Sequence, residues 1–194
     1  MPPVISGRDP QVNGSQIKIR VGLQVDLNPD NSAGPVQLRK LSQLALSRSV
    51  SIATAESCTG GGIAKALTEL PGSSNWFEAG LVTYSNQAKM MLLGVKDETL
   101  ELHGAVSEAV VREMVAGALR QTGADLAVAV SGIAGPDGGS ESKPVGTVWI
   151  AWQLREWQAE ARLFKFEGDR AAVREAAIDA AVNGLIDQLQ KFSS

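Results

Sequence analysis

Residues 126–130 read Leu-Ala-Val-Ala-Val, an apolar run without a polar face, closed off by Gly123 before it and Gly132 after it. A strand with one wet face alternates apolar and polar residues, whereas a strand covered on both faces stays apolar throughout. Such a strand needs helices on each side, and the chain supplies them. Residues 35–48 space Leu38, Leu41, Leu44 and Ala45 at helical intervals. Residues 50–55 form a short apolar strand, and a glycine turn then opens into a helix to about Leu70, broken by Pro71-Gly72-Ser73-Ser74. Residues 80–83 predict a second strand, followed by a short helix through Leu93. Ser107 is placed to cap a helix reaching Gln121, with Gly123 as its stop. Residues 145–152 and 157–166 read as two further strands. Asp169 then caps a closing amphipathic helix with Val173, Ala176, Ala177, Ala180 and Leu185 along one side. The expectation is an α/β fold, a three-layer α/β/α sandwich with a mixed, mostly parallel sheet and antiparallel strands near the end. It starts near Pro35. Residues 1–34, rich in Pro, Asn, Asp, Gly and Ser, read as an N-terminal extension, with Ile17, Ile19 and Val21 as one edge-strand-like segment.

Composition removes whole mechanisms. The 194 residues include one histidine (His103), one cysteine (Cys58) and one tyrosine (Tyr84). A single cysteine excludes a disulfide framework and a cysteine-rich zinc site, and a single histidine excludes HExxH metal centres. No cofactor or metal is expected. Lys+Arg 18 against Asp+Glu 21 gives a net charge of −3 with no basic stripe, which argues against nucleic acid as a partner. The apolar runs fall short of the roughly 18 residues a membrane helix needs. The start has no basic-then-apolar leader pattern, so a soluble cytoplasmic protein is expected.

The 20 glycines cluster. Two clusters, at 59–62 and 132–139, directly follow expected strands, and in open α/β sheets the ligand crevice lies beyond the carboxyl ends of the strands. A glycine turn there lets backbone N–H groups approach a phosphate or a developing oxyanion, aided by the following helix terminus. Named phosphate motifs do not fit: Lys65 stands where GxGxxG needs its last glycine, and no GxxxxGK[ST] occurs.

Ser57, in Glu56-Ser57-Cys58-Thr59-Gly60, sits on a strand-to-helix turn as a nucleophile elbow does, although Ala55 and Thr59 replace the glycines of GxSxG. A turn serine, taken alone, is more often a helix cap. Cys58 reads as a small buried residue. The base for a serine nucleophile is either His103, whose helix-end position suits a surface role, or a lysine acting neutral. Lys89 is the candidate lysine, because the strand end that presents Tyr84 lets the next helical turn aim at the same edge. Tyr84 as an aromatic rim and Lys89 on a solvated face are the plain alternatives. Ser140-Glu141-Ser142-Lys143 matches SxxK but lies in a Gly/Pro-rich loop where that motif cannot open a helix.

Taken together, Ala55-Glu56-Ser57-Cys58-Thr59-Gly60-Gly61, Pro71-Gly72-Ser73-Ser74, Val82-Thr83-Tyr84-Ser85-Asn86, His103-Gly104-Ala105-Val106-Ser107, residues 131–139 and Lys143-Pro144-Val145-Gly146-Thr147-Val148 resemble the CinA C-terminal domain family from about Leu38 to Phe192. The resemblance implies a standalone nicotinamide-nucleotide amidase that converts nicotinamide mononucleotide (NMN) to nicotinate mononucleotide and ammonia. It carries the catalytic roles onto Ser57, Tyr84 and Lys89, with Tyr84 relaying or orienting the proton. Oxyanion donors are expected around Thr59, Gly60 and Gly61. Further substrate contacts are expected at Gly72, Ser74 and Asn86, and phosphate contacts at Ser131, Gly132, Gly135 and Arg170. Arg170 has a surface ion-pair reading as well. The family also implies a homodimer. The rival readings are a non-catalytic nucleotide-binding or regulatory domain linked to competence or DNA damage, and an amidase for another carboxamide.

Overall fold

The computed structural model of the chain describes residues 36–191. The expected N-terminal extension and its edge-strand segment lie outside the described residues. Helix α1 (Val36–Ser47) buries Leu38, Leu41 and Ala45 and leads into strand β1 (Ile52–Glu56), whose five residues are all buried. Helix α2 (Gly62–Thr68) and a short 3-10 turn (Ser73–Asn75) return the chain to strand β2 (Phe77–Val82). Helices α3 (Asn86–Leu93), α4 (Asp97–His103) and α5 (Glu108–Thr122) precede strand β3 (Leu126–Gly132). Strands β4 (Thr147–Leu154) and β5 (Glu160–Lys165) and the 22-residue helix α6 (Arg170–Lys191) complete the fold.

The five-stranded sheet has the order β2-β1-β3-β4-β5. The β1–β2 and β1–β3 ladders are parallel, while β3–β4 and β4–β5 are antiparallel. The sheet is therefore mixed as expected, and four of its strands point the same way because β5 reverses the reversal at β4.

The alternation inside the apolar strands decides which helix goes where. Ile52, Leu126, Val128, Val130, Ile150 and Trp152 form one face and pack with Leu41 of α1, Leu67 of α2 and Leu185 of α6. The opposite face is nearly all alanine (Ala53, Ala55, Ala127, Ala129 and Ala151) and packs with Leu93, Leu100, Val111, Met114 and Ala118 of α3, α4 and α5. Small residues on that face let α5 lie close, and the bulk is supplied by the helix. The capping signals in the sequence also work as written. The Ser107 hydroxyl accepts from the Val110 amide at 3.3 Å, Gly123 ends α5 at φ 72°, and Asp169 Oδ1 accepts from the Ala172 amide at 2.9 Å at the start of α6.

One feature was not anticipated. Helix α4, with Asp97 and Glu98 in its first turn, fills what read as a connection, because Leu100 alone anchors it in the core. The loop at 140–143 carries the SxxK letters as an exposed turn in which the Ser140 hydroxyl accepts from the Lys143 amide. No helix among the described residues is long and apolar enough to cross a membrane.

Candidate active site

Strands β1, β2 and β3 end together, and their ladders run one residue past the strands: the Ser57 amide donates to Val130 O at 3.0 Å and the Thr83 amide to Glu56 O at 2.8 Å. Ser57 is thereby fixed at the carboxyl edge of the sheet, 8% exposed. Ser85 caps α3 by accepting from the Ala88 amide, and the first turn of that helix drives Lys89 inward. Lys89 is 1% exposed, with its Nζ 3.0 Å from Ser57 Oγ, 2.9 Å from Thr83 O and 3.2 Å from Tyr84 O. None of these partners is a carboxylate. Burial holds the ammonium below the ordinary lysine value, with the Cys58 thiol pulling the other way.

The Lys89 amine donates to Ser57 Oγ and to the two carbonyls, so its three acceptors are all uncharged oxygens. Cys58, by contrast, is inert. Burial pushes its thiol up to about 11 against the opposing pull of the Cys58 and Thr59 amides, so the thiolate that would attack is not formed at neutral pH.

Tyr84 departs from expectation. The residue is 60% exposed and its hydroxyl accepts from Arg170 at 3.0 Å, so here the phenol is turned to the arginine and not bonded to Ser57 or Lys89. What Tyr84 gives the pair is its backbone carbonyl. Among the proposed oxyanion donors, the Gly60 amide is already used on Ser57 O at 3.0 Å, which leaves the Thr59 and Gly61 amides without a backbone acceptor. The Thr59 side chain is fully buried and donates to Glu56 Oε2 at 2.7 Å.

Gly72 and Ser74 are at the wrong end of the sheet. The turn that holds them delivers Trp76 O to the Ile52 amide at the start of β1, because α2 has carried the chain back. The five steps from Ile52 to Ser57, roughly 16 Å, separate that end from Ser57. Ser131 is 1% exposed and its hydroxyl donates to Ala105 O at 2.8 Å, so that hydroxyl has no proton left for a phosphate. Gly132 pairs with Val148 inside the β3–β4 ladder and packs there. Asn86 opens α3 at the correct edge and is exposed.

Gly135 and Arg170 do come together. Arg170 donates to Gly135 O at 2.9 Å and, with the other guanidinium nitrogen, to Tyr84 Oη. Both line a cleft of about 540 Å³ with Ala134, Val145, Asp169 and Arg174. Arg174 was missed by sequence reading. Its guanidinium donates to Thr59 O at 2.7 Å, tying the cleft to the Ser57 turn, and its Nε is buried without a hydrogen-bond partner. The signal was available, since Arg170 and Arg174 stand four residues apart on one face of α6. Glu56 was also missed, being read only as part of a motif. No group of three or more His, Cys, Asp or Glu among the described residues stands where a metal could be held. His103 is exposed at the end of α4.

Known proteins resemble this chain in sequence and fold. The chain is 54% identical over 149 residues to nicotinamide-nucleotide amidohydrolase PncC of Escherichia coli (strain K12), covering 77% of this chain and 90% of that one. It is 57% identical over 135 residues to the protein of the same name from Pseudomonas putida, covering 70% of this chain and 84% of that one. Among solved structures, a CinA superfamily protein from Klebsiella pneumoniae superimposes with a TM-score of 0.77 at 42% identity, covering 80% of this chain and 96% of that one. The family model of the CinA C-terminal domain matches residues 37–189. The chain belongs to the CinA C-terminal domain family.

Proposed function

We propose that this chain is an amidohydrolase that converts NMN and water to nicotinate mononucleotide and ammonia, with Ser57 as nucleophile and Lys89 as base. The observation that carries this reading is the buried Lys89 amine 3.0 Å from Ser57 Oγ, with two carbonyls and no carboxylate around it. The names of the relatives in E. coli and P. putida support the substrate.

Ser57 Oγ attacks the carboxamide carbon as its proton passes to Lys89. The carbonyl oxygen becomes an oxyanion facing the Thr59 and Gly61 amides, each such donor contributing about 3 kcal/mol in serine hydrolases. Lys89 then returns the proton to the nitrogen, and ammonia leaves an acyl-enzyme. Water adds to the ester with Lys89 again taking the proton, and the product acid departs as Ser57 is restored. The exposed Tyr84 ring stacks on the cationic pyridinium. Arg170 and Arg174 take the ribose phosphate in the cleft, where a fork of N–H groups suits phosphate oxygens. A small-molecule substrate, a homodimer and a cytoplasmic location complete the reading, with residues 1–34 as an extension to a catalytic domain from 35 to 194.

Ammonia release from NMN, nicotinamide and glutamine is the test. Wild type should act on NMN, and Ser57→Ala should be inactive with an unchanged circular dichroism spectrum. Activity retained by Ser57→Ala, or ammonia from glutamine alone, overturns the assignment.

A further inference from the structure

We infer that Glu56 is a positioning residue that holds the oxyanion-binding turn in register with Ser57, a role that rests on the nucleophile assignment above. Glu56 is the last residue of β1 and is 0% exposed. A strand end beside a sheet core is a costly place for a carboxylate, and packing alone would be met by an alanine or serine. The Glu56 side chain accepts four hydrogen bonds, two on each oxygen. Oε1 accepts from Thr54 Oγ1 at 3.1 Å and from the Ala64 amide at 2.8 Å. Oε2 accepts from Thr59 Oγ1 at 2.7 Å and from the Ile63 amide at 3.0 Å.

Those four donors lie on three separate pieces of structure. Thr54 is in the strand, Thr59 is in the middle of the turn, and Ile63 and Ala64 open α2. Helix α2 has no side-chain cap of its own, because Gly61 occupies the N-cap position at φ 91°. Glu56 supplies the cap from seven and eight residues back, and in doing so clamps the strand, the turn and the helix to one group. The turn needs an external clamp, since Gly60 and Gly61 have φ of 60° and 91° and glycine does not hold such angles by itself. The same contacts fill the helix N-terminus with a protein carboxylate. A substrate phosphate therefore has no place there, and the turn's remaining amides are left for the oxyanion.

Glu56→Gln keeps the size and sets an NH₂ group against one pair of donors. Threonine hydroxyls can rotate to accept, but a helix N–H cannot, so either Ile63 N or Ala64 N loses its acceptor and the turn shifts. The experiment measures kcat, KM and the pH profile for ammonia release from NMN in Glu56→Gln, with Ser57→Ala alongside and thermal melts to normalise for folded protein. The expected result is a fall in kcat of about a hundredfold, as for a misplaced catalytic geometry, with KM and the midpoint of the pH profile unchanged. A fall in kcat of less than about tenfold per folded molecule, or a change in KM alone, overturns the inference. Activity in Ser57→Ala would instead remove the nucleophile assignment. Should Glu56→Gln not fold, Thr54→Val decides, because the one side-chain hydrogen bond it deletes is to Glu56. It should lower kcat about threefold or more at constant KM, and wild-type kcat with a lowered Tm overturns the positioning role.

Discussion

Lys89 Nζ and Ser57 Oγ are 3.0 Å apart across 32 residues of sequence, and the amine reaches the hydroxyl from a helix on the side of the sheet lined with alanine. Lys89 Nζ lies at the strand ends with the Thr83 and Tyr84 carbonyls as its other partners. The pair is buried, short and free of carboxylates, which is the setting in which a lysine works as a base.

The pH dependence follows from burial. The proposed mechanism requires neutral Lys89, so kcat/KM should rise with pH along a one-proton limb whose midpoint lies below the ordinary lysine value of 10.5. Lys89→Arg should lose activity by about a thousandfold at every pH, because a guanidinium does not give up its proton. Stability has the same sign. Between the lowered folded value and 10.5 the unfolded chain binds more protons, so stability is gained as pH rises through that window and lost as it falls. Melts of wild type and Lys89→Met at several pH values should show the wild-type Tm gaining on the variant as pH rises.

Cys58 should prove dispensable for chemistry. With its thiol at about 11, iodoacetamide at neutral pH should leave the folded protein unlabelled. Cys58→Ala should keep kcat within about twofold and lose roughly 1 kcal/mol of stability from the small cavity. Mass spectrometry and urea unfolding check the two halves.

Arg174 should act on the phosphate and not on the amide. Arg174→Ala should raise KM for NMN about tenfold or more, the loss of a charge-assisted contact, with a smaller effect on kcat. Nicotinamide riboside, which lacks the phosphate, should show no such change. Equal effects on both substrates would assign Arg174 to holding Thr59 O alone.

Gly117 is a packing requirement of the catalytic helix. A methyl group there would lie 2.0 Å from Leu93 O at the end of α3. Backbone cannot rotate away as a side chain can, so Gly117→Ala should cost about 2–3 kcal/mol. Because α3 carries Lys89, kcat of the folded fraction should fall as well. Differential scanning calorimetry paired with activity at low temperature separates the two effects.

Much of this was legible in the sequence because the signals are local. The Leu-Ala-Val-Ala-Val run announced a doubly covered strand. Ser107, Gly123 and Asp169 cap as their chemistry dictates. The errors all concern side chains whose partners are remote. Ser131 looked like a phosphate ligand because nothing in the sequence places Ala105 O against it. Gly72 and Ser74 sat in a family motif, but their end of the sheet is set by the length of α2. Tyr84 took its proton-relay role from the family resemblance, and its hydroxyl is bonded to an arginine 86 residues away, a partner that the sequence does not place beside it. Glu56 was overlooked because its meaning lies in four bonds that sequence does not show.

The missing acid partner of Lys89 bears on how the reaction ends. A neutral amine among carbonyls is stable while the bound molecule is a cationic carboxamide, whose charge discourages protonation nearby. Hydrolysis replaces that amide with a carboxylate at the same spot, and the lysine gains the counter-ion it lacked. The proposed product would thus re-protonate the base and hold itself in place as an ion pair, most tightly in acid. Product release, not bond cleavage, would then limit turnover at low pH.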